Sequence, residues 1–344
     1  MIETETSSNS MGGSDNEGAA QANGQGGANT QGAARRRGTH HGDSGYEIVV
    51  EEGRDPFRLF DSFREIWRYR GLIRELVRRD LKVRYKGSPV GIGWSLVNPL
   101  LQIFGITVVV KLMSSSPPKD YSAYLFIIFL WTFFQISLLD CGASVITNAA
   151  LVRKVYFPRA IFPIISIINN LFHFGISLGF TVLYFFLLGT YPGLLRPHFL
   201  LVIPVVFFMA MLALGLGLML ACLTVFYADV TFMVTTLLGL SLYALPVFYE
   251  IERVYANSFF YSIYMLNPVA ALLVTYQRAL LPPRPVLISP AVVIDATHTL
   301  PARVLPALDV PWPYFFLACF TSTLVLVVGF LVFERKQWEM AERL

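Results

Sequence analysis

The chain has 344 residues, 55% of them hydrophobic and 15% charged, with a formal net charge of +4. Its mean hydropathy is +0.56, whereas a soluble domain carries about 25% charged residues. The apolar residues gather in runs long enough to cross a bilayer, which takes about 20 residues per helix. These features exclude a soluble enzyme, a disordered scaffold and a nucleic-acid-binding domain as the main reading. The three cysteines, Cys141, Cys222 and Cys319, lie in apolar stretches and offer neither a disulfide framework nor a metal-ligand spacing.

Residues 1–53 are rich in Gly, Asn, Gln, Ser and Ala, with one Arg35-Arg36-Arg37 run. Such a segment buries too little apolar surface to offset its ordering entropy, so a disordered tail is expected. It lacks the apolar stretch and small-residue cleavage site of a signal peptide.

Residues 54–88 differ. Phe57, Phe60, Phe63 and Trp67 recur at helical spacing, followed by Ile73, Val77 and Leu81, and eleven Lys or Arg residues lie among them. One apolar stripe beside one basic face predicts a helix lying in the membrane interface, bent near Gly71.

Six apolar spans follow, at about 90–113, 122–142, 161–189, 198–226, 230–249 and 313–333. The fourth carries Gly215 and Gly217. Asn267-Pro268 breaks a seventh apolar stretch, and prolines are frequent beyond it. Residues 250–312 are therefore expected to be an extramembrane or re-entrant region of short helices. With six spans, twenty of the 27 Lys and Arg residues fall on the side of the termini. That bias predicts a multi-pass protein with both termini in the cytoplasm.

Chemical motifs are mostly absent. There is no phosphate loop of the G-x-x-x-x-G-K-[ST] type, no D-x-D, no H-E-x-x-H and no C-x-x-C. No metal site and no cofactor are expected on this chain. Asp140 is nearly the sole ionisable residue inside a span, too poor a set for an ion-coupled transporter. Asn169, Asn170 and His173 share a helix face and can bond across helices. Tyr243, Phe248 and Tyr249 cluster at one end of the fifth span. They suit either an interfacial aromatic belt or a surface on which sugar rings stack.

Four segments carry a resemblance. Leu72–Ser88 leads into Val90-Gly91-Ile92-Gly93-Trp94-Ser95-Leu96-Val97-Asn98-Pro99-Leu100. Asn148–Arg159 follows the second span, Phe226-Tyr227-Ala228-Asp229-Val230 follows the fourth, and Pro246-Val247-Phe248-Tyr249 precedes Asn267-Pro268. In this order they resemble the permease subunit of polysaccharide-exporting ABC transporters, the exporters of O-antigen, teichoic acid or galactan.

The resemblance implies an all-α membrane protein in the bacterial cytoplasmic (inner) membrane. It would have six transmembrane helices, an N-terminal amphipathic interface helix and outer re-entrant gate helices. The implied division is a tail over 1–53, an interface helix over 54–88, a transmembrane domain over 89–333 and a cytoplasmic tail over 334–344. Within the transmembrane domain a coupling helix is implied at about 148–160 and a gate region at about 250–312. Val152, Arg153, Lys154, Val155, Tyr156, Phe157, Pro158 and Arg159 would dock on a separate ATPase, with Asp229 as a second contact. Arg74, Arg78, Arg79, Arg84 and Lys86 would meet a lipid pyrophosphate. Tyr243, Phe248, Tyr249, Asn267 and Pro268 would line the glycan channel or its gate.

The implied partners are a second copy of this chain, two ATPase subunits that hold ATP and Mg, membrane lipid and a lipid-pyrophosphate-linked polysaccharide. Within that class the Gly/Asn/Gln-rich tail resembles those of actinobacterial proteins, and that resemblance implies a galactan. Two other functions fit the residues: an ABC permease for a small lipophile or drug, and a membrane-embedded glycan polymerase or ligase. The last would need essential outer carboxylates, for which Glu250, Glu252, Asp295 and Asp309 are available.

Overall fold

The computed structural model describes residues 59–87, isolated positions between 93 and 112, then 122–154, 158–188, 197–246, 251–255, 257–281, 283, 286–289, 292–295, 298–300 and 303–343. The expected tail over 1–53 and nearly all of the expected first span lie outside the described residues.

Two helices open the described chain, α1 (Leu59–Arg68) and α2 (Arg70–Tyr85). The break between them falls at Tyr69, not Gly71. There the Tyr69 N–H is shared between the carbonyls of Glu65 and Ile66 at 3.3 and 3.0 Å. Ile66 is buried in a cluster against which Ile73 also packs, so the apolar faces of both helices meet the bundle across the break. Gly71 has open space around it and lies in the first turn of α2. Trp67, placed on the apolar stripe by its spacing, is exposed, and its neighbour Ile66 makes the bundle contact.

The apolar runs become long helices because their backbone groups are satisfied within each segment, as a bilayer requires. These are α3 (Ser122–Thr147), α5 (Ile161–Leu188), α6 (Val202–Phe226, entered through a 3₁₀ turn at Pro197–Leu201) and α11 (Trp312–Arg343). Among the described residues four helices are long and apolar enough to cross a membrane, or up to five if one bent pair counts as a span. A short helix, α4 (Ala149–Lys154), lies between α3 and α5.

The fifth expected span is shorter than its apolar run. Helix α7 (Val230–Ala244) has 15 residues, or about 22 Å at 1.5 Å per residue, against a hydrocarbon core of about 30 Å. Leu245 is extended and Pro246 follows, and a residue before proline is disfavoured in the helical region.

Beyond it stand α8 (Ile251–Tyr255), α9 (Ser258–Met265) and α10 (Pro268–Leu280). Helices α9 and α10 meet at 101°. The region is not made of short helices alone. Strands β1 (Val286–Ser289) and β4 (Arg303–Leu305) pair antiparallel, as do β2 (Val292–Asp295) and β3 (His298–Leu300). Each short run is dense in Val, Ile and Thr, which favour a pleated backbone. Pro290 and Pro301 fall between the two pairs in sequence, and a residue without an N–H interrupts a ladder.

Helix α6 is the centre of the bundle and touches α3, α5, α7, α10 and α11. Its glycines explain the closeness. A Cβ on Gly215 would lie 2.7 Å from the backbone of Leu326, and one on Gly329 would lie 2.2 Å from the Gly215 carbonyl oxygen. Helices α6 and α11 therefore touch backbone to backbone, the contact small residues allow in membranes. On the other side a Cβ on Gly217 would lie 2.4 Å from that of Cys141, and Thr224 Oγ1 donates to the Gly142 carbonyl at 2.7 Å. Outward faces carry exposed Phe207, Phe232, Phe316 and Phe320, as a lipid-facing surface requires.

Candidate functional site

Functional side chains gather at opposite ends of the bundle. The first end is basic. Helix α2 crosses the foot of α5, and its arginines reach the neighbouring helices. Arg84 Nη2 lies 3.4 Å from Asp140 Oδ2 on α3, and the buried Asn170 of α5 donates to the same oxygen at 3.0 Å. Interhelical bonding, expected for the Asn169, Asn170 and His173 face, is thus found at Asn170. Arg79 Nη2 donates to Asp80 at 2.9 Å and to Asn148 Oδ1, just before α4, at 3.4 Å. Arg74, Arg78 and Lys86 are exposed. The five basic residues assigned to a lipid pyrophosphate are thus all exposed, and Arg79 and Arg84 also contact the bundle.

The segment assigned to coupling begins with α4, whose first turn is closed by the Asn148 carbonyl, which accepts from Leu151 and Val152 N–H. Val152 packs partly against the cluster that holds Ile66. Arg153 and Lys154 belong to α4, whereas Val155, Tyr156 and Phe157 lie outside the described residues. Pro158 and Arg159 are half-buried. Arg159 donates from Nη1 to the Gln337 carbonyl, and its guanidinium sits 5.7 Å from the Trp338 ring centre. Asp229 is exposed at the start of α7 and makes no capping bond. Beside it, Phe226 lies 5.3 Å beneath the Arg343 guanidinium.

The second end holds the bent pair. Asn257 accepts from Phe259 and Phe260 N–H at 3.2 and 3.4 Å, and Asn267 accepts from Val269 N–H at 3.0 Å. Each asparagine caps a helix, and Pro268 suits the first turn of α10, where its missing donor has no partner to lose. Helix α10 is buried from Val269 to Leu280. Its Arg278 pairs with Glu252 of α8, both more than nine-tenths buried. Tyr255, Tyr261 and Tyr314 stack edge to face, with centroids 5.1 and 5.8 Å apart, and Tyr314 Oη lies 3.2 Å from Ser262 Oγ. Tyr243 is exposed on α7, while Phe248 and Tyr249 lie outside the described residues.

Sequence reasoning named Glu252 as an available outer carboxylate and Gly215 within a span, but missed their partners, Arg278 and Gly329. The first had a signal, an arginine inside an apolar helical run. The second had little, because one glycine near the end of a long apolar helix has no local pattern. Among the described residues no cluster of His, Cys, Asp or Glu could hold a metal ion.

A family model described as ABC-2 type transporter matches residues 71–281, more than half of the chain. The chain belongs to the ABC-2 type transporter membrane family. The match begins inside α2 and ends just beyond α10, so it takes in α4, Arg159, Asp229 and the bent α9–α10 pair but not α11. The chain is 29% identical to the O-antigen export system permease protein RfbA of Myxococcus xanthus over 215 residues, 62% of this chain and 82% of that protein. It is 25% identical to an O-antigen export system permease protein RfbA of Klebsiella pneumoniae over 269 residues, 78% of this chain and 92% of that protein. A second Klebsiella pneumoniae protein of that name is 27% identical over 205 residues, 59% of this chain and 77% of its own length. This ABC-2 permease is a multi-pass membrane protein.

Proposed function

We propose that this ABC-2 permease is the channel subunit of an exporter that moves a lipid-linked polysaccharide outward across the cytoplasmic membrane. Two copies form the channel, both termini face the cytoplasm, and a separate ATPase supplies ATP hydrolysis. The reading rests most on one observation: the similarity to O-antigen export permeases extends over 92% of the length of one such relative. The geometry supports it. Arg159 and Phe226, from the two segments assigned to the ATPase, both contact the C-terminal turns of α11, which supports a shared face for that partner. Exposed Arg74, Arg78 and Lys86 present charge to a pyrophosphate, which arginine grips bidentately and lysine meets as a point charge. The bent α9–α10 pair is a re-entrant gate, held open or shut by how its two capped arms meet.

A galactan is our assignment within the class. A small lipophile as cargo is the other reading of the same permease. A polymerase or ligase cannot use Glu252, whose carboxylate is buried against Arg278; Asp309, which is exposed, is the carboxylate whose replacement tests that reading.

Depletion of the chain in its own cells tests the proposal. Surface glycan should fall while lipid-linked glycan accumulates on the cytoplasmic leaflet. Unchanged surface glycan with slowed efflux of a lipophilic dye would replace it with the small-lipophile reading.

A further inference from the structure

Helix α11 is longer than a span. Its 32 residues run to about 48 Å, against a hydrocarbon core of about 30 Å. The excess lies at the basic end, where Glu334, Arg335, Lys336, Glu339, Glu342 and Arg343 follow the apolar run. A free tail of this composition would be solvated and without fixed contacts. This one is held: Phe333 and Met340 are fully buried, two turns apart on one face, in the cluster that holds Ile66 of α1 and Ala160.

The same turns contact both segments that face the proposed ATPase. Arg159, at the end of the coupling segment, bonds the Gln337 carbonyl and lies over Trp338. Phe226, which opens the α6–α7 connection, lies under Arg343. These segments are 67 residues apart in sequence (159 to 226) and meet on one helix end. That end continues without a break into the helix whose Gly329 touches the α6 backbone.

We infer that the C-terminal turns of α11 form a coupling strut, in which Trp338 and Arg343 are positioning residues that carry movement of the two ATPase-facing segments into the last span. The inference rests on the proposed function. A rigid helix suits the task, since a push on Arg159 is delivered along α11 to its backbone contact with α6, whose own last residue, Phe226, lies under Arg343. Trp338 is 53% exposed, so an interfacial anchor in lipid headgroups is the competing role.

The two roles separate by a double-mutant cycle on the full chain with its ATPase. Surface glycan is measured in cells; stoichiometry and ATP hydrolysis are measured on the purified complex. In Trp338→Ala the complex should remain assembled and ATP hydrolysis should stay within about twofold, while surface glycan falls at least tenfold. Trp338→Phe, which keeps a ring for Arg159, should restore export to within about threefold, and Arg343→Gln should repeat the loss. Adding Arg159→Lys to Trp338→Ala should lower export by less than the product of the two single losses, because the ring contact is already gone and only the bond to the Gln337 carbonyl remains to be lost. Normal export in Trp338→Ala overturns the strut. So do losses that multiply in the double variant, which make Trp338 a headgroup anchor. Failure of Trp338→Ala to assemble, unrepaired by Trp338→Phe, also overturns it and leaves a purely structural residue. A chain that purifies without any ATPase overturns the proposed function itself, a result distinct from the others.

Discussion

Asp140 of α3 joins two neighbours through one carboxylate oxygen, accepting from the buried Asn170 of α5 at 3.0 Å and facing Arg84 of α2 at 3.4 Å. The two contacts differ in weight. Arg84 and Asp140 are 47% and 37% exposed, and exposed ion pairs contribute about 0–1 kcal/mol. Asn170 is buried, and a buried donor left without its acceptor costs about 1–3 kcal/mol. Asp140→Ala should therefore destabilise the chain by about 1–3 kcal/mol. Asp140→Asn, which keeps an acceptor oxygen, and Arg84→Ala should each cost about 1 kcal/mol or less. Thermal unfolding of the purified variants in one detergent checks the order.

The contact between α6 and α11 predicts a steric result. A methyl group on Gly329 would fall 2.2 Å from a carbonyl oxygen and cannot be relieved by a side-chain rotation. Gly329→Ala should force the two helices apart at a cost of about 1–3 kcal/mol. Gly71→Ala, in open space on α2, should be neutral or stabilising by up to about 1 kcal/mol. Folded yield and melting temperature of the two variants give the comparison.

The Glu252–Arg278 pair predicts non-additivity. Removing one partner leaves a buried uncompensated charge, worth about 3–5 kcal/mol of destabilisation. Glu252→Gln and Arg278→Met should each fall in that range. The double variant should lose less than the sum of the two, because it leaves no lone charge. Chemical denaturation of all three variants measures the coupling.

How far these features were legible in the sequence depends on their physical origin. The helices α3, α5, α6 and α11 stand in the sequence as long apolar runs, because each must satisfy its own backbone in lipid. Asn267-Pro268 marked the α9–α10 break, because a side-chain cap and a residue without an N–H are both local signals. Pro246 marked the end of α7 equally well, yet the apolar run past it extended the expected span. The strand pairs were hidden by the frequent prolines around them, although Val292-Val293-Ile294 carried the β-branched signal. Arg84 read as one cation among many, since only the fold brings Asp140 and Asn170 to it. The placement of Ile66 rather than Trp67 against the bundle is a tertiary choice, made by the cluster with Leu218, Phe333 and Met340 that receives Ile66.

The capped bend predicts a matched pair of effects. Asn257→Ala and Asn267→Ala each remove a helix cap, at about 1 kcal/mol apiece. If α9 and α10 gate the channel, export should fall several-fold more in Asn267→Ala, which sits at the 101° break, than in Asn257→Ala at equal stability. Surface glycan normalised to folded protein in the membrane provides the test.

The central claim is that this permease works with a separate ATPase. Mild-detergent affinity purification of the chain from its own membranes, with stoichiometry by native mass spectrometry, addresses it most directly. The account predicts two copies of this chain with two copies of a phosphate-loop ATPase. A stable particle that contains no ATPase would contradict it.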